Sequence, residues 1–128
     1  MAPPLLQLDD IRLTFGGAPL LDGAGLVVEP RARIALVGRN GSGKSTLMRI
    51  AAGEIEADGG RRFVDPKAAV AYLAQDPDFS RFESVREVVE SGRDALASVD
   101  VEPLIAALGL APAQRTTTLS GGEARRAA

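Results

Sequence analysis

Apolar and polar residues interleave from the start of the chain. Leu6, Leu8, Ile11, Leu13 and Phe15 mostly alternate with polar neighbours, a period-two pattern that predicts a strand with one buried face. Gly16-Gly17 breaks that run, and Leu26-Val27-Val28 opens another before a turn at Glu29-Pro30-Arg31, so residues 5–37 read largely as an antiparallel meander. Ile34-Ala35-Leu36-Val37 does not alternate; a short continuous apolar run suits a strand buried on both faces. The period then changes: Leu47, Ile50 and Ala51 recur at helical spacing, with Gly53 placed as a C-terminal stop. After the turn at Asp58-Gly59-Gly60, Phe63-Val64 and Val70 to Ala74 predict two further strands, closed by Gln75-Asp76-Pro77. From Ser84 onward the pattern is helical: Ser84 and Glu87 have the spacing of a capping box, and Val101 to Leu108 predicts a helix ending at Gly109.

Composition narrows the class. The 128 residues, 45% hydrophobic and 25% charged, are enough for one ordinary soluble domain with one core. A formal charge of -2 argues against a general affinity for nucleic acid and leaves only a local patch for such contacts. Cysteine and histidine are both absent, which excludes disulfides and thiolate metal sites. No uninterrupted apolar run reaches the roughly 18 residues of a membrane span, and Met-Ala-Pro-Pro does not open a leader peptide, so the expected compartment is the cytoplasm.

The candidate chemistry lies between the Ile34–Val37 run and the following helix. Gly38, Gly43, Lys44 and Ser45 fit G-x-x-x-x-G-K-[ST], flanked by an apolar strand pattern and an amphipathic helix pattern. Glycines let the backbone curl until successive N–H groups point at phosphate oxygens, and the helix start adds partial positive charge. In such a loop Lys44 reaches the β/γ-phosphates of a nucleoside triphosphate and Ser45 ligates Mg²⁺. Gly38, Asn40, Gly41, Ser42, Gly43, Lys44, Ser45 and Thr46 are therefore the expected phosphate-binding residues. A chance match in a chain of this length is expected about a few times in a thousand.

Downstream, Thr118-Leu119-Ser120-Gly121-Gly122-Glu123 follows both this loop and Gln75. In that order these residues resemble the signature motif of ATP-binding cassette (ABC) ATPases. The final Glu123, the short spacing from Lys44 to Gln75, and Leu36-Val37-Gly38-Arg39-Asn40-Gly41 are most similar to the ABC-F class, in particular its Uup-like members. The resemblance runs from about Leu5 to the last residue. It implies an α/β P-loop NTPase fold of the ABC nucleotide-binding type, with an antiparallel β meander, an incomplete parallel core sheet and a short helical subdomain. It implies that Phe15 stacks on adenine, although its place in the alternation equally suits a strand-core residue. Gln75 is implied as the Q-loop residue that contacts Mg²⁺ or the attacking water, with Lys44 its catalytic companion; a solvated glutamine before an Asp-Pro turn is the alternative. Ser120, Gly121 and Gly122 are implied to close on the γ-phosphate held by a second cassette, in cis or in trans. Ser120 and Glu123 also have capping-box spacing, so free N–H donors at that helix start are expected to face the anion.

The resemblance also has gaps. A complete cassette continues into a Walker B strand ending in Asp-Glu and then a switch histidine, and these 128 residues include neither. Leu26-Val27-Val28-Glu29-Pro30 has one acidic residue where two are expected and precedes the P-loop. The stretch from Ser91 to Glu102 is shorter than the helical region the family implies, and Arg31 stands where a glycine is usual. The resulting expectation is one truncated nucleotide-binding domain over 1–128: meander, P-loop core and Q-loop over 5–75, helical subdomain over 76–118, signature and the start of its helix over 119–128. It is expected to bind ATP and Mg²⁺ without efficient hydrolysis, its parent working on the ribosome in translation. A stand-alone non-catalytic nucleotide-binding module, a transporter's ATPase subunit and a non-functional remnant are the alternatives.

Overall fold

A computed structural model describes residues 2–92 and 100–128, which form two compact units, Met1–Tyr72 and Leu73–Ala128. The first unit is a three-stranded antiparallel sheet, β1 (Leu6–Leu13), β2 (Leu21–Val28) and β3 (Gly59–Val64) in the order β2-β1-β3, with helix α1 (Lys44–Ala52). Leu6, Leu8, Ile11 and Leu13 are all buried, yet the first pair and the second differ in phase by one residue. A β-bulge resolves this. The register shifts after Leu8 against β2 and after Asp9 against β3, and Asp10 takes φ 49, so the extra residue is absorbed and both pairs face inward. Gly60 lies against the bulge: a Cβ there would fall 2.5 Å from the Asp9 and Asp10 carbonyl oxygens, so no side chain fits. Leu21 of β2 and Leu47 and Ile50 of α1 complete the core. Helix α1 ends as its pattern predicts, with Glu54 N–H donating to Arg49 O and Gly53 N–H to Ile50 O, a Schellman arrangement. The Arg62 guanidinium donates to Ala51 O at 2.8 and 3.0 Å and satisfies another carbonyl of the last turn.

Several expectations are corrected here. Strand β2 begins at Leu21, five residues ahead of its apolar run, because pairing with β1 organises a segment whose own pattern is broken by Gly23 and Gly25. Ile34–Val37 and Val70–Ala74 belong to no strand among the described residues. A strand exists only through its ladder partners, and neither segment has one there. Ile34, Leu36, Val37 and Val70 are consequently exposed, Val37 to 91%. Ile34 and Leu36 line an apolar groove of about 440 Å³ with Leu26, Val28, Ala32 and Met48. Arg31 adopts φ 64, the left-handed conformation for which a glycine is the usual solution.

Among its described residues the second unit holds three helices, α2 (Val85–Ser91), α3 (Glu102–Ala107) and α4 (Gly121–Ala127), with a 3-10 turn at Thr116–Thr118. Val85 and Val88 of α2, Val101, Ile105 of α3, Leu110 and Ala127 of α4 form its core, with Phe79, Phe82, Val89 and Leu119 packed against them. Helix α3 stops at Gly109 as expected: Leu110 N–H donates to Ile105 O and Gly109 N–H to Ala106 O. At α2 only half of the expected capping box forms. Ser84 Oγ accepts from Glu87 N–H, but the Glu87 carboxylate takes the N–H of Glu83 at 2.9 Å, not that of Ser84. Most of the stretch between Ser91 and Glu102, expected to be a shortened helical region, lies outside the described residues.

Candidate functional site

Helix α1 sets the geometry of the glycine-rich loop in the first unit. Gly43 occupies the helix's N-cap position at φ 92, and no side chain caps this end. A Cβ at Gly43 would fall 2.9 Å from Leu21 Cδ2 and 3.3 Å from Leu20 Cγ, so glycine is required both by conformation and by close approach. That approach locks the loop onto the start of β2. The Ser42 N–H closes a turn onto Arg39 O at 3.1 Å. The Lys44 ammonium folds back over the loop, 2.6 Å from Gly38 O, 2.7 Å from Arg39 O and 3.4 Å from Ser42 Oγ. A helix start with no side-chain cap and a cation held above it is a cradle for an anion of several oxygens.

The donor set fits the nucleotide and metal that the sequence implies. Ser45 is exposed in the first turn of α1, where its hydroxyl is available to Mg²⁺, and Thr46 is half-buried beside it. A Cβ at Gly38 would meet Ser42 Oγ at 2.8 Å, so a side chain there would have to turn the Ser42 hydroxyl aside. Asn40 and Gly41 sit at the exposed crest. Phe15 lies beyond the end of β1 in the bend Phe15–Ala18 and is 68% exposed, so the strand-core alternative does not hold. Its loop returns through Leu20, whose N–H donates to Leu13 O at 2.9 Å and whose side chain lies under Gly43. The segment that carries Phe15 is thus joined to the loop Gly38–Thr46 where Leu20 meets Gly43.

Gln75, Ser120, Gly121 and Gly122 belong to the second unit. Gln75 is exposed in a bend, as a glutamine before Asp-Pro would be. The signature segment is held from behind: Thr116 Oγ1 donates to Phe82 O at 2.7 Å, Thr116 N–H donates to Glu83 O, and Arg126 Nε donates to Leu108 O at 3.0 Å. The capping box forms in full. Glu123 N–H donates to Ser120 Oγ at 3.2 Å, and Ser120 N–H donates to the Glu123 carboxylate at 2.7 Å. The bond from Ser120 N–H is the main reason that the Glu123 carboxyl is held below the usual carboxylate range. The expectation of free donors is therefore only partly met: Ser120 and Glu123 N–H are occupied, and Gly121 and Gly122 remain at the helix start.

One residue of this region has no counterpart in the sequence reading. Asp58, read only as part of a Gly-rich turn, accepts a 2.8 Å hydrogen bond from Thr14 N–H, next to Phe15. The bond spans 44 positions, and only the residue type at the turn hinted at it.

Residues 21–128 match the ABC transporter family. The chain is 45% identical over 98% of its length to ATP-binding protein Uup of Caulobacter vibrioides, of which it covers 20%. It is 37% identical over 96% of its length to aliphatic sulfonates import ATP-binding protein SsuB 1 of Frankia alni, covering 46% of that protein. Among solved structures, an ATP-binding subunit of an ABC transporter superposes with a TM-score of 0.78 at 21% identity, over 96% of this chain and 59% of that one. A bacterial Atm1-family ABC exporter with ATP bound gives 0.75 at 24% identity, over 99% and 26%. The chain thus spans a fifth of the first of these curated relatives and about half of the second. The P-loop cradle in a cassette-like fold and the match over residues 21–128 lead to one conclusion: the chain belongs to the ABC transporter family.

Proposed function

We propose that this chain binds Mg·ATP through the loop Gly38–Thr46 as part of an ABC-type ATPase. The observation that carries the reading is the Lys44 ammonium, held within 2.7 Å of two loop carbonyls above a helix start that no side chain caps. Backbone N–H groups of the loop and of the first turn of α1 bind the phosphates, Lys44 supplies the inward cation, and Ser45 holds the metal. Phe15 offers its exposed ring to the base. The bound Mg²⁺ neutralises charge that develops on the phosphates during transfer. Gln75 and Ser120–Gly122 serve the same reaction, the latter by meeting the nucleotide of a second cassette. These 128 residues alone are expected to bind nucleotide with hydrolysis at background, since Glu123 is engaged in its cap and no apolar run ending in Asp-Glu follows the P-loop among them.

Similarity to Uup supports an ABC-F parent, and a ribosomal partner rests on that class resemblance alone. A transporter's ATPase subunit is the second reading, favoured by relatives such as zinc import ATP-binding protein ZnuC of Halorhodospira halophila, 33% identical over 96% of this chain. No helix among the described residues is long and apolar enough to cross a membrane, which suits either parent. Calorimetric titration with Mg·ATP tests the common core of both. Lys44→Ala should weaken binding by about 10- to 100-fold, the range of a lost charge-assisted contact, and Arg39→Ala by no more than about threefold. Equal affinities for wild type and Lys44→Ala would remove the reading.

A further inference from the structure

The loop that carries Phe15 has little packing of its own. Its glycines, Gly16 at φ 77 and Gly17 at φ 135, have nothing within 4 Å of where a Cβ would be, and the Phe15 ring at the start of the bend is mostly exposed. Hydrogen bonds at its two ends hold it instead. At the exit, Leu20 N–H donates to Leu13 O. At the entry, Thr14 N–H donates to the Asp58 carboxylate at 2.8 Å. Asp58 is itself fixed, since its own N–H donates to Arg12 O at 2.8 Å directly before β3, where Gly59 pairs with Arg12. The β1–β3 ladder runs out at this point, and the carboxylate stands in for the next main-chain acceptor. It carries the ladder one step further, to the residue preceding Phe15.

We infer that Asp58 is a positioning residue for the nucleotide base: through Thr14 N–H it fixes where the Phe15 ring presents itself, an inference that rests on the base-stacking reading proposed above. A ring on an untethered glycine loop must be ordered each time a base docks, and that ordering reduces affinity. A ring whose backbone is already held does not incur that loss. The effect is confined to the base, because the phosphate cradle is built on Gly43 and α1 and needs nothing from Thr14.

The test compares two ligands that share the phosphates and differ in the base, Mg·ATP and Mg·tripolyphosphate, titrated calorimetrically into the full-length protein. Phe15→Ala should weaken ATP binding about tenfold, within the range of a lost aromatic stack. Asp58→Ala should weaken it about threefold, and Asp58→Asn, which keeps an acceptor oxygen, should restore it. All three variants should bind tripolyphosphate as wild type does, and Asp58→Ala should add nothing in a Phe15→Ala background. Equal weakening of both ligands by Asp58→Ala would show a general structural role and overturn the inference. An effect of Phe15→Ala with none of Asp58→Ala would overturn it while leaving the base platform standing. No effect of Phe15→Ala would remove the platform and the inference together.

Discussion

Two helices of this molecule begin next to glycines, and they begin in opposite ways. Helix α1 starts from Gly43 in the left-handed region, no side chain caps it, and a lysine is drawn back over the loop. Helix α4 starts from Ser120 in extended conformation with a reciprocal cap, its own Glu123 carboxylate lying on the Ser120 N–H. The first end has no side-chain cap on its donors and holds a cation beside them. The second satisfies part of its donors from within and supplies an anion, so by itself it is the poorer site for phosphate. The same residue class, small and flexible, therefore opens an uncapped end in one place and a self-contained end in the other; the residue at the N-cap and the charge beside it decide which.

Gly43→Ala should break the contrast most severely. An L side chain at φ 92 costs about 1–2 kcal/mol and the approach to Leu21 adds overpacking of about 1–3 kcal/mol, so the first unit should lose about 2–5 kcal/mol in urea denaturation, and ATP affinity with it. A loss below about 0.5 kcal/mol would mean that the loop relaxes freely and is no fixed cradle. Ser120→Ala should cost the second unit about 1 kcal/mol, as loss of a serine N-cap does, and leave ATP affinity at the P-loop unchanged. Weakened ATP binding in that variant would show that α4 is not self-contained. The smallest effect is that of acid. Because the Glu123 carboxyl is lowered in the folded state, the stability it contributes is present above its ordinary value of 4.5 and fades as pH falls through the lower folded value. Circular dichroism between pH 6 and pH 3 should therefore show a drop in α4 helicity that Glu123→Gln, which keeps the box without the charge, makes shallower. Identical pH profiles would mean that the carboxylate charge adds nothing to the cap.

The parts that were legible in the sequence are those whose chemistry or geometry is local. The P-loop was readable because phosphate binding requires particular residues at fixed spacing, and the Ser120–Glu123 box because both partners lie within one turn. The burial of Leu6, Leu8, Ile11 and Leu13 was readable in kind, although not the bulge that reconciles their phases. The rest depends on distant partners. Ile34–Val37 has the apolar content of a buried strand, but content does not supply a ladder, and the Val70–Ala74 segment fails in the same way. Glu87 had a nearer competitor for its carboxylate in the Glu83 N–H. The bond from Thr14 to Asp58 joins a strand end to a turn, and no spacing rule reaches across that interval.

The bulge at Asp9-Asp10 has a consequence for how this strand tolerates change in its gene. Because one extra residue is already absorbed there, losing the codon for Asp10 leaves Leu6, Leu8, Ile11 and Leu13 in strict alternation, all still on the inner face. Losing the codon for Gln7 instead turns Leu6 outward and leaves the remainder in place. Within a single strand, then, the sites that can be shortened and those that cannot lie only a few residues apart.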